Sequence, residues 1–157
     1  MRKRVSKKMK HKKINIFFFF FLLFVSVQAQ IQKPVHWSFA TNQKNPAEAE
    51  LIFRVKIDRG WHLYSHFLQS DKGPIATAFI FNPEKNYQLL GKVLEDKPRE
   101  EYDKSFEMTV RWFENEATFR QKIKILSTEP FSIKGTLTYQ TCDNEKCLPP
   151  QDVEYDF

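Results

Sequence analysis

Cysteine is scarce in this chain: Cys142 and Cys147 are the only two among 157 residues. So few cysteines exclude a disulfide-dense scaffold, which needs several bridges because its core is too small. No Cys-x-x-Cys occurs, which removes a thioredoxin-like redox motif, and no Cys-x-x-Cys-His occurs, which removes covalent haem attachment. Helical periodicity is missing as well; no segment carries enough of it to anchor an α/β architecture. There is no internal repeat. The one long apolar run and the one low-complexity stretch coincide, in the phenylalanine-rich segment near the N-terminus.

That segment explains the charge. Residues 1–13 contain eight Lys and Arg and no acid, and they lead into an apolar stretch from Ile14 to Val27. A basic segment, a short apolar segment and the small residues of Val27-Gln28-Ala29 form a secretory signal, too short for a comfortable permanent span. Cleavage is expected after Ala29, giving a signal peptide over 1–29 and one domain over 30–157; an uncleaved anchor is the competing reading. No cysteine stands at the cleavage point, so a lipid anchor is not expected. Eight of the 25 basic residues and none of the 19 acids lie in the leader, leaving 17 against 19 and a net charge of −2. The overall charge of +6 is therefore no sign of a nucleic-acid partner.

What remains is rich in aromatics and in period-two patterning. Outside the leader stand ten Phe, three Trp and five Tyr. Val35, Trp37 and Phe39 alternate with polar neighbours, as do Leu51, Phe53, Val55 and Ile57, and Phe106, Met108, Val110 and Trp112. Phe119 with Ile123 and Ile125, Phe131 and Ile133 with Leu137 and Tyr139, and Val153, Tyr155 and Phe157 continue the pattern. Alternation of this kind gives each strand one face to bury, and two packed antiparallel sheets bury all of them. Turn signals separate the runs at Asn45-Pro46, Asp58-Arg59-Gly60, Asp71-Lys72-Gly73-Pro74, Asn82-Pro83, Lys97-Pro98, Glu114-Asn115 and Glu129-Pro130. The expected fold is an all-β, immunoglobulin-like sandwich. Trp37, Phe53, Val55, Val110, Trp112, Ile125 and Leu137 are expected between its sheets. The charged stretch Lys97 to Ser105 reads, by composition, as a solvated hairpin loop.

Cys142 and Cys147 sit on a polar loop near the C-terminus with four residues between them. Closing so short a loop stabilises a fold by only about 2 kcal/mol in the chain-entropy picture. A metal site would need further ligands, and His36, His62 and His66 lack the spacing of a zinc module. On these grounds no metal and no cofactor are expected, and a redox pair and a plain structural bridge stand level.

A resemblance bears on that choice. Leu137-Thr138-Tyr139-Gln140-Thr141-Cys142 followed by Cys147-Leu148-Pro149-Pro150 resembles the active-site hairpin of the N-terminal periplasmic domain of the thiol:disulfide interchange protein DsbD. Gly60-Trp61-His62-Leu63-Tyr64-Ser65, the Gly73-Pro74 turn before Ala76-Thr77-Ala78-Phe79, and Glu100 to Phe106 are similar to that family in the same order. The resemblance implies dithiol–disulfide exchange, with Cys147 as the exchanging sulfur and Cys142 as the resolving one. It also implies a cap over the pair, matched here by Glu101, Tyr102 and Asp103. Familiar members are fused to a membrane electron-transfer domain and a thioredoxin-like domain, whereas this sequence runs only ten residues past Cys147. The expected partners are therefore a membrane thiol reductase and thioredoxin-fold envelope proteins, acting in trans on a soluble periplasmic domain. The loop between the cysteines is shorter than in better-known members, and Tyr stands where Phe is common in the cap. The alternative is a non-catalytic interaction module that keeps the disulfide as a brace. In either case Pro149-Pro150 should fix the exit from the loop, because proline locks φ and cannot extend a ladder.

Overall fold

The computed structural model describes residues 32–68, 72–104 and 106–157. The expected signal peptide lies outside the described residues. Among them the chain forms eleven strands and no helix, and hence no helix long and apolar enough to cross a membrane. The strands are β1 (Val35–Asn45), β2 (Glu48–Ile57), β3 (His62–Tyr64), β4 (Ala78–Phe81), β5 (Tyr87–Glu95) and β6 (Arg99–Asp103). They continue with β7 (Met108–Phe113), β8 (Glu116–Ile125), β9 (Lys134–Tyr139), β10 (Thr141–Cys142) and β11 (Gln151–Asp156). Five of the seven turn signals fall between strands; Asn45 closes β1 with Pro46 in the turn after it, and Asp71 lies outside the described residues, with Lys72-Gly73-Pro74 between β3 and β4. At the Asp58-Arg59-Gly60 turn, Gly60 adopts φ +86°, a conformation that a side chain would strain.

Every strand pair is antiparallel. The large sheet has the order β1-β2-β8-β5. Facing it are a three-stranded sheet, β11-β9-β4, and a shorter one, β10-β3-β7-β6. Only Gln140 separates β9 from β10, so one stretch of chain passes from the first of these to the second. In doing so it carries Cys142 out of the sandwich proper and into the short sheet.

Aromatic side chains make up half of the sandwich core and the partly buried residues packed against it. Phe53 of β2 is fully buried. Its ring lies 4.8 Å from Phe79, 5.0 Å from Tyr155 and 5.0 Å from Phe157, so one side chain of the large sheet meets three from the opposite layer. Phe119 of β8 makes similar contacts with Phe79 and Phe113. Tilted and edge-on geometries dominate, as the quadrupoles of aromatic rings favour. Gly135 has no alternative residue: a Cβ there would stand 2.1 Å from the Ile80 carbonyl and 2.3 Å from the Tyr155 hydroxyl. The space it leaves lets Tyr155 donate to the Ile80 carbonyl at 2.8 Å.

The expected all-β sandwich is the observed architecture, and Phe53, Val55 and Leu137 are buried between its sheets. Trp37 and Ile125 pack against the same core while partly exposed. Val110 and Trp112 differ from expectation. They belong to a second cluster, with Tyr64 and Cys142, on the outer side of the short sheet. The charged stretch also departs from its reading: Arg99 to Asp103 is not a loop but the edge strand β6, paired along β7 from Arg99↔Trp112 to Asp103↔Met108. Charged side chains suit such an edge because they discourage pairing with another chain. Ser105 lies outside the described residues.

Phe53→Ala should lower the unfolding free energy of the oxidised protein by about 3–5 kcal/mol, the usual cost of emptying a buried aromatic site. Urea titration followed by tryptophan fluorescence measures this. A loss below about 1 kcal/mol would mean that the layers are not held through this ring.

Candidate redox site

The short sheet has two apolar faces. Leu63 of β3 pairs with Phe113 of β7, and both turn into the sandwich core. Side chains one position away point outward. On that outer face His62 and Tyr64 of β3 lie beside Met108, Val110 and Trp112 of β7, with Cys142 of β10 opposite His62. Phe106 and Leu68 pack over the cluster from flanking segments. An alternation that reads as core-facing in the sequence thus faces a different interior, the floor of a cleft bearing the cysteines.

Cys142 and Cys147 form a disulfide, with Cα atoms 4.0 Å apart. They are directly opposite one another in a tight hairpin. Leu148 N–H donates to the Thr141 carbonyl and Asp143 N–H to the Lys146 carbonyl, each at 2.9 Å. The cysteines fall between these bonded pairs, at the narrow spacing of an antiparallel ladder, where side chains approach most closely. The turn is held by Asp143, whose Oδ1 accepts from the N–H groups of Glu145 and Lys146, both at 2.8 Å. Those two bonds hold the Asp143 carboxyl below its ordinary range. Lys146 lies over the Trp61 ring, 5.9 Å from its centroid, and ties the hairpin back to the segment entering β3.

The two sulfurs differ in environment. Cys142 is 2% exposed, whereas Cys147 is open to solvent. Burial of the first follows from the chain path: Thr141 is buried and its hydroxyl donates to the His62 carbonyl at 2.7 Å, locking β10 against β3. The Gln140 side chain braces both sides of this strand, accepting from Ile75 N–H and donating to the Leu148 carbonyl. Pro149 and Pro150 follow at once, exposed, before β11 begins.

Glu101, Tyr102 and Asp103 all line the cleft, across from the hairpin. Glu101 pairs with Val110 and Asp103 with Met108, which gives both carboxylates the parity of the cysteine face. Tyr102 pairs with Thr109, stands at the rim, and is 60% exposed. Asp103 also accepts from Phe106 N–H at 3.2 Å and so shapes the turn after β6. Glu114 closes the far end, where it is bridged to Arg99 at 3.0 Å, and Arg99 covers the Trp112 ring.

Two titratable groups on the cleft floor are perturbed. Burial, reinforced by the negative charge of Asp103, pushes the Tyr64 phenol up to about 12. Burial lowers the His62 imidazole, against the opposing pull of Glu114, Asp103 and Asp143. The three histidines weighed as metal ligands are apart in role: His36 contacts Asp58, His62 contacts Tyr64, and His66 Nδ1 is bonded to the Thr77 carbonyl. The sequence named His62 only as a rejected metal ligand and within a motif, and Tyr64 only within that motif. The signal that could have placed them was the alternation of His62 and Tyr64 about Leu63, which sets both on one face.

Comparison with known proteins bears on this geometry. Residues 28–157 match the family described as thiol:disulfide interchange protein DsbD, N-terminal. No curated protein matches the sequence. Among solved structures, the N-terminal periplasmic domain of ScsB from Proteus mirabilis aligns at 16% identity and a TM-score of 0.57, over 80% of this chain and 46% of that one. The complex between the DsbD N-terminal and PilB N-terminal domains from Neisseria meningitidis aligns at 20% identity and 0.50, over 81% and 87%. The Neisseria meningitidis DsbD N-terminal domain in the reduced form aligns at 21% identity and 0.49, over 76% and 82%. The first two show a shared fold. A family of thiol:disulfide interchange and a bonded cysteine pair at the mouth of a cleft together support a role in thiol–disulfide exchange. The chain belongs to the family of the DsbD N-terminal domain.

Proposed function

We propose that this protein is a periplasmic carrier of reducing equivalents, exported by a leader over residues 1–29. Its domain takes electrons from a membrane or thioredoxin-like thiol reductant and passes them to oxidised envelope clients. The observation that carries this reading is the asymmetry of the pair, with one cysteine exposed and the other buried beside an ionisable cleft floor. Exchange proceeds by thiolate attack on one sulfur of a disulfide, and the accessible sulfur is the one a partner reaches.

In the loading direction a partner thiolate attacks Cys147 Sγ. The Cys142–Cys147 bond breaks, a Cys147–partner bond forms, and the electron pair leaves on Cys142 Sγ. The partner's second thiolate then attacks its own sulfur in the mixed disulfide, so that the partner departs oxidised and the domain holds two thiols. Delivery to a client runs the same steps in reverse. Cys147 is the exchanging sulfur and Cys142 the resolving one.

Tyr102 and the carboxylates Glu101 and Asp103 act as the cap. Negative charge beside the pair disfavours a thiolate and repels anionic small thiols such as glutathione, while a docked partner displaces the edge. The complex of DsbD N-terminal and PilB N-terminal domains supports protein partners for this fold. Thioredoxin-fold proteins suit the role here because their exposed thiolate can reach Cys147.

Cys142→Ser should accumulate mixed disulfides through Cys147 with thioredoxin-fold proteins in cell envelopes, seen as adducts on non-reducing gels and identified by mass spectrometry. A complete lack of adducts would favour a non-catalytic interaction module with a structural bridge. Tyr102→Ala should raise the rate at which glutathione reduces the disulfide several-fold, with the rate of reduction by a thioredoxin-fold partner changed less. Equal effects on both rates would remove Tyr102 from the cap.

A further inference from the structure

We propose that His62 is the base that takes the proton from Cys142 when the buried thiol resolves a mixed disulfide. The inference rests on the exchange reading above and assigns it one further residue.

The resolving step sets the requirement. Once Cys147 has joined a client sulfur, Cys142 must attack Cys147 Sγ as a thiolate, because the thiol is a poor nucleophile. An ordinary cysteine titrates near 8.5, and this one is 2% exposed in a cleft with several acids, both of which disfavour its anion. A nearby acceptor for the proton is needed. The sheet register supplies one: Cys142 pairs with His62 across β10 and β3, and such partners carry their Cβ atoms about 4.5–5.5 Å apart on one face.

The surroundings of His62 make it a base rather than a fixed cation. Its ring is wedged against Trp112 at 5.0 Å and Tyr64 at 5.2 Å, and burial keeps it neutral further into the acid range than an exposed imidazole. Its Nε2 lies 3.2 Å from the Tyr64 hydroxyl. With Tyr64 pushed up to about 12, that phenol stays protonated and serves as a partner, not as a base. In the Nε2–H tautomer the imidazole donates to Tyr64, and Nδ1 is left to receive the proton. Glu114 just past β7, Asp103 of β6 and Asp143 of the hairpin act on the ring, and all three favour its protonated form. Glu101, Lys104 and Lys146 line the same cleft.

Those carboxylates are themselves poor candidates. A carboxylate is a far weaker base than a thiolate, so taking a proton from a thiol is steeply uphill, whereas imidazole lies much closer to the thiol. Asp143 is further handicapped by the two N–H bonds that hold its proton affinity down.

In the delivery direction Cys142 S–H gives its proton to His62 Nδ1, and the resulting thiolate attacks Cys147 Sγ. The Cys142–Cys147 bond forms, the Cys147–client bond breaks, and the electron pair leaves on the client sulfur. The imidazolium then releases its proton to solvent or to the departing thiolate. In the loading direction the imidazolium donates to the Cys142 thiolate as it leaves.

The test uses the reduced full domain and dithiobis-nitrobenzoate, which releases a coloured thiolate twice: once when Cys147 attacks the reagent, again when Cys142 resolves the adduct. In the wild type the second phase should slow as pH falls through an inflection below 6.5, because protonated His62 cannot accept the proton. His62→Gln, which can still hydrogen-bond Tyr64, should slow the second phase relative to the first by roughly 10²-fold near neutral pH and abolish that inflection. A second phase of unchanged rate and pH profile in His62→Gln overturns the assignment, and a wild-type profile with no inflection does so without any variant. If the reduced wild type releases only one equivalent of coloured thiolate and leaves a stable adduct on Cys147, the exchange reading itself fails, a result distinct from the failure of His62 alone.

Discussion

A short sheet with apolar side chains on both faces is the constraint from which the rest of this site follows. Its inner face, through Leu63 and Phe113, completes the aromatic core of the sandwich. The outer face cannot be left in water either, since Tyr64, Val110 and Cys142 are all nearly inaccessible. Four short strands are too few to cover themselves. Cover comes from the turn after β6, which brings Phe106, and from the cysteine hairpin, which folds back beside β3. The cysteine hairpin and the turn after β6 are thus part of what buries this face, and the cleft between them is where that burial is incomplete.

That origin accounts for the difference between the sulfurs. Cys142 belongs to a strand that leaves the three-stranded sheet at Tyr139 and is pinned against His62 one residue past Gln140. Its sulfur shares the floor with tyrosine, tryptophan and valine. Cys147 belongs to the returning arm, which is bridged to Cys142 and followed by two exposed prolines. Rigidity on one side and access on the other are what an exchange reaction asks of two sulfurs, and a simple brace requires neither.

Much of this was legible in the sequence, for a physical reason. Long half-buried strands announce themselves by alternation, so β1, β2, β8 and β11 were readable, and proline, glycine and asparagine marked the turns. Strand β5 was not, because its ladder to β8 is interrupted between Leu90 and Leu94, with Gly91 at φ +72°, which breaks the period. Strands β3 and β10 are three and two residues long, too short for any period. The placement of Val110 and Trp112 escaped for another reason. Alternation shows that the faces of a strand differ, but in Trp112-Phe113 both faces are aromatic and only the fold decides which looks into which interior. The cysteine hairpin, in contrast, was placed by a resemblance carried on one local run of residues, whereas the pairing of Cys142 with His62 joins residues far apart in the chain.

Redox titration of the Cys142–Cys147 pair in the full domain against glutathione or dithiothreitol buffers tests the central claim most directly. A carrier must be reducible by a cellular thiol donor, so the account predicts a midpoint potential above about −300 mV. A midpoint well below about −300 mV would mark an inert structural bridge and contradict it.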